Sequence, residues 1–405
     1  MKKRIGIIGV GTAGIVNLSY FLSLLSNDYE VVSIYDPSIP ILGIGESTNP
    51  GFIRILEQGT RFSISEDTHH LDSTYKFGTQ FINWREHDWL NPLIGGGIAV
   101  HFNNFKLKEF AFERFAKLWP KKFSVIEGTV NETIDKFNSV KLIIDGSEEL
   151  FDYIIDCSGF PKDYSTDYVH SSCSLLNHCY VHSFEKFDPI PYTEHIATQN
   201  GWMFGIPLQS RKTYGYLFND TITTEDDAKQ DMAATLKISV SELKLREYKF
   251  KPYYTTRLVN NNIMKNGNQA LFFEPISATS INQYVSTCHI LFDYIMENIS
   301  EEQANAQFIH ESNVTEDIIN YYYHGGTNFD STFWQAAKKN AINNLKDNQR
   351  FKTILDQNQM ANDIGLPYNG PAHLFTAYSL QIIDEGFGYN YFKGSPRPFD
   401  NVDKS

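Results

Sequence analysis

The hexapeptide GVGTAG, Gly9 to Gly14, lies between an apolar stretch, RIGIIG, and a run in which Ile15, Leu18, Leu22 and Leu25 recur at helical spacing. A second strand-like run, EVVSIYD, ends on Asp36, twenty-two residues after Gly14. Strand, glycine turn, helix and strand in that order make the opening βαβ unit of a doubly wound parallel sheet. Gly9 permits the tight turn, Gly11 lets backbone approach a pyrophosphate, and Gly14 brings helix against strand. The helix N-terminus, at Thr12 and Ala13, then meets the phosphates, and Asp36 accepts from a ribose hydroxyl. A dinucleotide site is expected. The motif does not separate NAD from FAD, and a glycine turn without a ligand is the structural alternative.

The 405 residues exceed the usual size of one domain, so one large α/β module with an elaborated second part is expected. A net charge of −13 repels phosphate backbones and argues against nucleic acid as a partner. The 14% aromatic content suits a large flat ligand, although an AT-rich coding sequence would also enrich Phe and Tyr. Cys157, Cys173, Cys179 and Cys288 form no CxxC pair, which fits a reducing cytoplasm and argues against a zinc site. The opening MKKR and the apolar run after it imitate a signal peptide, but four glycines, Asn17 and Ser19 interrupt that run. No stretch reaches the roughly 18 apolar residues of a membrane span. The adjacent His69 and His70 lack a ligand partner at helical spacing, so no metal is expected.

No repeat or long linker divides the chain. ELFDYIIDCSG reads as a further buried parallel strand, and residues 123–146 as strands with turns at Asn138 and Gly146. Residues 1–325 are taken as a dinucleotide-binding module with an interleaved β layer at about 180–260, and 326–405 as a helical cap. Apolar positions adopt mostly helical spacing from Ala304 onward. FKLKEFAFERFAKLWPKK carries Phe112, Phe115 and Trp119 at helical spacing and is expected to be buried against the sheet.

Four further stretches invite a chemical reading. GIGEST, with Gly45, Glu46 and Ser47, follows the second strand directly, and its glycines allow backbone to lie against a flat ring. STYKFGTQFINW reads as one strand, with Lys76, Gly78, Gln80 and Ile82 on one face and Tyr75, Phe77, Thr79 and Phe81 on the other. Taken alone, Lys76 would be a solvated edge residue. GWMFGIP packs Trp202, Phe204 and Ile206 among glycines and ends at Pro207. EPISATSI reads as a loop entering a helix, with Ser277 or Thr279 as its N-cap.

GVGTAG, GIGESTNP, YKFGTQFINWR, IDCSG, GWMFGIP and FFEPISATSI occur in the order seen in flavin-dependent tryptophan halogenases, and the chain resembles that family over nearly its whole length. The family signature W-x-W-x-I-P stands here with Phe204 in place of the second tryptophan, which keeps a bulky ring to exclude water. The resemblance implies a halogenase that uses FAD supplied already reduced by a separate flavin reductase, with O2 and chloride, bromide or iodide. It implies that hypohalous acid travels to Lys76 beside a small aromatic substrate of indole or phenol type. It places Gly9, Gly11, Thr12, Ala13, Gly14, Asp36, Gly45, Glu46, Ser47 and Ile276 at the cofactor, and Thr279 with Ser280 at the halide.

Trp202, Phe204, Pro207, Ser277, Phe333 and Trp334 would line the passage and the substrate site. His101 and Phe102 fall loosely where the family places substrate-facing residues; a satisfied loop histidine is the alternative. Two departures stand out. Ser277 occupies the position of the family glutamate that works with the lysine, and Ser280 that of a glycine. The expected fold is a doubly wound FAD-binding, Rossmann or glutathione-reductase-like module with a β-sheet layer and a C-terminal helical substrate module. The expected location is the cytoplasm, off the membrane, with a homo-oligomer left open. A flavin-dependent aromatic hydroxylase on the same fold, or a flavin-binding protein without halogenation, is the alternative.

Overall fold

The computed structural model describes residues 2–41, 43–44, 46–84, 88–93 and 97–352. Two large sheets organise them. The first has six strands in the order Val259–Asn260, Ile263–Lys265, Tyr153–Asp156, Lys3–Ile8, Tyr29–Tyr35 and Phe123–Glu127, parallel except at its first pair. This is the doubly wound module expected from the glycine turn. Its strands bury both faces, so they are continuously apolar rather than alternating. Ile5 and Ile7 enter the main core beneath the Thr12–Leu24 helix. Ile8, Val32 and Ile34 pack the other way, on Val140, Leu142, Ile144 and Phe151 of a three-stranded antiparallel layer.

ELFDYIIDCSG is two strands rather than one, Ser147–Phe151 and Tyr153–Asp156. Asp152 interrupts them because its N–H donates to Arg4 O (2.8 Å) while its carboxylate accepts from the Arg4 N–H (2.7 Å). The first half pairs with Ser139–Ile144 and the second with Lys3–Ile8.

The second large sheet has seven strands: Arg246–Lys249, His178–Phe184, Lys212–Phe218, Gly201–Pro207, Thr193–Thr198, Gly78–Ile82 and Trp89–Pro92. The β layer expected at 180–260 is therefore extended by strands from far earlier in the chain. It also carries a helix, Glu225–Leu236, whose Ala228 and Met232 pack on Tyr180, Met203 and Tyr216. The opposite face of the sheet turns Trp202, Phe204 and Ile206 into the main core.

Helices Pro50–Thr60, Asn104–Leu118 and Thr279–Ile295 pack around Thr12–Leu24. Asn49 starts the first of these, its side chain accepting from the Phe52 N–H ahead of Pro50 at the first turn, a cap worth about 1 kcal/mol. The Asn104–Leu118 helix buries Leu107, Phe110, Ala111 and Phe115, with Phe112 and Trp119 packed at the margin of the core. Helices Glu301–His324 and Thr332–Leu345 complete the described chain, the first opened by a Ser300–Gln303 capping box. Most of the expected helical cap, 353–405, lies outside the described residues. Among the described residues no helix is long and apolar enough to cross a membrane.

Candidate functional site

The glycine turn is built by contact rather than by side chains. Gly9 has φ +100°, and a Cβ there would meet Cys157 O at 2.4 Å. A Cβ on Gly14 would meet Gly9 O at 2.1 Å, so helix and strand touch there. Gly11 differs: among the described residues a Cβ there would meet nothing within 4 Å, and it stands as N-cap of the Thr12–Leu24 helix with no side-chain cap. Open space before an uncapped helix N-terminus fits a dinucleotide phosphate.

Asp36, at the end of the second strand, accepts from Ser38 N–H (2.8 Å), Ser38 Oγ (2.6 Å) and Thr129 Oγ1 (2.5 Å). These bonds, Ser38 first, hold its carboxyl below the usual range, so it stays an anionic acceptor. Thr12 Oγ1 donates to Asn104 Oδ1 (3.1 Å), and Asn104 Nδ2 to Glu46 Oε1 (3.4 Å), tying the turn to the GIGEST segment. Burial pushes the Glu46 carboxyl up to about 7. Arg246 donates to Gly43 O (3.2 Å), and a Cβ on Gly43 would strike the Phe105 ring, which pins the segment from both sides. Gly45 lies outside the described residues. The residues present fit FAD.

Lys76 does not sit on the single strand expected for 74–82. Thr74–Lys76 belongs to a three-stranded sheet with Ala99–Phe102 and Glu46–Ser47, whereas Gly78–Ile82 joins the seven-stranded sheet. Phe77 breaks the run: its N–H donates to Pro191 O (2.8 Å) and its O accepts from Leu93 N–H (2.9 Å). The pleat changes phase at the break, so Tyr75 and Phe77 are exposed while Lys76, Thr79 and Phe81 are all buried.

Lys76 is 3% exposed. Its Nζ donates to Ser47 Oγ (2.8 Å) and to Thr48 O (2.8 Å). Desolvation pulls the amine down to about 7. Ser47 Oγ lies 2.8 Å from Thr193 Oγ1, which lies 2.8 Å from His101 Nε2. His101 Nδ1 is 3.0 Å from Thr74 Oγ1, and that hydroxyl donates to Pro207 O (2.6 Å). His101 is thus a buried strand residue with both nitrogens bonded, not a loop histidine. Burial first, then the charges of Lys76 and Lys212, keep it well below its ordinary pKa. Phe102, its neighbour, stacks on Phe52 (5.3 Å, 8°) in the Pro50–Thr60 helix.

The Gly201–Pro207 strand is buried along its whole length. Gly215 on the adjoining strand leaves room for Phe204, whose ring a Cβ there would meet at 2.0 Å. Gly205 does the same for the buried Glu194–Lys212 ion pair (2.7 Å), since its Cβ would meet Glu194 Oε2 at 2.5 Å. Trp202 is locked in place: Nε1 donates to Tyr323 OH (2.9 Å), which donates to Glu274 Oε1 (2.9 Å). Desolvation raises Glu274 to about 7. Trp84 meets Trp202 edge-on at 6.3 Å and Trp334 at 5.4 Å, and Trp334 Nε1 donates to Thr198 O (2.8 Å). Phe333 packs edge-on against Trp334 (5.1 Å). His195 lies between Phe81 and Trp202, 4.9 Å from each, its Nδ1 enclosed and without a hydrogen-bond partner among the described residues. Burial, then the charge of Lys76, pushes it down to about 3.

The EPISATSI segment departs from the expected N-cap. Ser277 (φ 52°, ψ 25°) and Ala278 (φ 55°, ψ 35°) are both left-handed, and Ala278 is the N-cap of the Thr279–Ile295 helix without any side-chain cap. Ser277 Oγ is instead 2.7 Å from Tyr322 OH, and Thr279 Oγ1 donates to Glu274 O (3.1 Å). Each such residue costs about 1–2 kcal/mol. A left-handed residue followed by right-handed Thr279 (φ −55°, ψ −40°) is the pattern of a backbone nest, but the Thr279 N–H is already taken by Ile276 O. Ile276 is fully buried just before it.

The structure therefore gathers Lys76, Ser47, His101 and Pro207 into one hydrogen-bonded group, and Trp202, Trp334 and Phe333 into one aromatic cluster. Ser277 joins the second group through Tyr322, which stacks on Phe81 (6.0 Å, 14°). Phe102 stays apart from both. Sequence reasoning missed Thr74, Thr193, His195, Tyr322 and Tyr323. The Tyr321–Tyr323 run was a visible signal, while Thr193 had none.

The sequence profile of the family described as tryptophan halogenase matches residues 4–136 and 96–390. The chain is 22% identical to the tryptophan 6-halogenase ThaL of Streptomyces albogriseolus, over 98% of this chain and 87% of that one. It superposes on a tryptophan halogenase from Shewanella frigidimarina with a TM-score of 0.79 at 18% identity, covering 94% of this chain and 89% of that chain. A flavin-dependent halogenase from Xanthomonas campestris gives 0.79 at 19% identity, with 95% and 90% covered. At such identities the structural matches establish the fold.

Proposed function

The chain belongs to the tryptophan halogenase family, and from that premise we propose that it halogenates an indole- or phenol-type aromatic through hypohalous acid held at Lys76. It is an enzyme of the flavin-dependent halogenase class, working with FAD, a halide, an aromatic substrate and a separate flavin reductase. Reduced FAD with O2 supplies the oxidising power that turns halide into hypohalous acid. The rest falls to the chain's own residues. Gly11 and the helix N-terminus behind it bind the pyrophosphate, and Asp36 the ribose. The left-handed turn at Ala278–Thr279 holds the halide through the Ser280 N–H, since the Thr279 N–H donates to Ile276 O. Trp202 and Phe204 exclude water between the ring site and Lys76.

The observation that carries the reading is the state of Lys76. An ammonium has three donors, and Ser47 and Thr48 take two, leaving one free among the described residues. A desolvated amine titrating near 7 can donate from that position as ammonium or accept there as amine. Ser277 cannot supply the carboxylate that its family counterpart would. Bromide and iodide are therefore preferred, because their hypohalous acids need less activation.

The test is turnover with reduced FAD, O2 and an activated indole or phenol in chloride, bromide or iodide, with Lys76→Ala alongside. Halogenated product that falls at least about a hundredfold in Lys76→Ala, with FAD binding intact, is expected. Hydroxylated product surviving the substitution would establish the hydroxylase, and bound FAD without product a flavin-binding protein. Equal rates with chloride and bromide on an unactivated ring would refute the halide preference.

A further inference from the structure

We propose that Ser47, Thr193, His101 and Thr74 form a one-way hydrogen-bond relay that keeps the third position on the Lys76 nitrogen, proton or lone pair, open for the reaction. The proposal rests on the assignment of Lys76 above. Its direction follows from counting protons. A hydroxyl has one hydrogen to give, and a backbone carbonyl can only accept. The 2.6 Å contact with Pro207 O therefore uses the Thr74 hydrogen. His101 Nδ1 must then carry a hydrogen and donate to Thr74 (3.0 Å). In a neutral imidazole that makes Nε2 the acceptor, so Thr193 donates to it (2.8 Å). Thr193 accepts in turn from Ser47 (2.8 Å), and Ser47 from Lys76 (2.8 Å). The carbonyl that closes the aromatic strip thereby sets the polarity of the bond at the amine.

The consequence appears when Lys76 gives up a proton. A free serine hydroxyl would turn and donate to the new lone pair, capping it. The Ser47 hydrogen is committed to Thr193, so it cannot turn while His101 is neutral. Burial and the charges of Lys76 and Lys212 keep His101 neutral. Lys212 is itself held by Glu194 (2.7 Å), His195 is neutral, and Glu46 beside Ser47 is bonded to Asn104. The lone pair stays at the third position.

The chemistry balances there. The π pair of the ring forms the carbon–halogen bond as the O–X bond of HOX breaks. The departing hydroxide takes the third proton of Lys76 and leaves as water. The ring proton then passes to the Lys76 lone pair, and the C–H electron pair restores the aromatic ring. The net change is Ar–H + HOX → Ar–X + H2O. Ser47, Thr193, His101 and Thr74 are positioning residues; Lys76 alone touches the reacting atoms.

The relay is tested in two ways. In the protein without FAD, 15N NMR of histidine is expected to show His101 as the Nδ1–H tautomer in wild type and Thr193→Ser. In turnover, Thr193→Val is expected to lower kcat about tenfold with KM for the aromatic nearly unchanged, and Thr193→Ser to restore it. If Thr193→Val does not fold, Thr193→Ala removes the same hydroxyl, frees the Ser47 hydrogen and carries the same expectation. An Nε2–H tautomer, or wild-type kcat in the broken relay, overturns the proposal. Failure of wild type to halogenate would overturn the role of Lys76, whereas the NMR result reports on the relay alone.

Discussion

The glycine turn and the Lys76 site are each assembled where strands end, but from opposite materials. At the turn, recognition is left to bare backbone: Gly9 and Gly14 touch the main chain at distances no side chain would allow, and Gly11 faces open space. At Lys76, recognition is made by side chains drawn from segments as far apart as Ser47, His101 and Thr193, with every member desolvated to some degree. A backbone site tolerates one residue type and is silent to pH. A side-chain site depends on which atoms hold protons.

Three substitutions sharpen this contrast. The largest effect is expected for Gly14→Val, whose Cβ would drive into Gly9 O, costing about 3 kcal/mol or more in chemical denaturation along with FAD binding. Next comes Glu274→Gln, on the buried support of Trp202. The folded-state pKa of Glu274 is raised from 4.5 to about 7, so between those values the folded chain holds a proton the unfolded chain has released. Wild-type stability from this group is full below pH 4.5 and is lost as pH rises through 7. The Gln variant, which mimics the protonated acid, should match wild type at pH 4 and exceed it at pH 8 by on the order of 2–3 kcal/mol. A gain independent of pH would sever Glu274 from titration. The smallest effect is expected for Gly11→Ala: stability within about 0.5 kcal/mol of wild type, with FAD affinity down about tenfold. Unchanged affinity would mean the open space at Gly11 is not the phosphate's.

The same contrast explains what could be read from the sequence. The doubly wound sheet was legible because glycine spacing, helical periodicity and Asp36 all depend on local backbone geometry. Lys76 was legible only through its family resemblance, since periodicity alone made it an edge lysine. The relay was not legible at all. Thr193 and Thr74 are ordinary strand residues until a parallel pairing of Thr193–Thr198 with Gly78–Ile82 brings their segments together. The break at Phe77 was hidden for a similar reason, because its cause is two hydrogen bonds to Pro191 and Leu93, remote in sequence. The left-handed pair at Ser277 and Ala278 carries no glycine to announce it.

The Phe77 break also bears on how the chain can change. The nine residues from Thr74 to Ile82 serve two sheets in succession, delivering Lys76 to one and Phe81 to the other. Adding or removing a single residue between those two positions would turn one of them inside out. Loops elsewhere are free to lengthen, but the reach between amine and aromatic wall is fixed by covalent count, so new specificities must come from reshaping the walls.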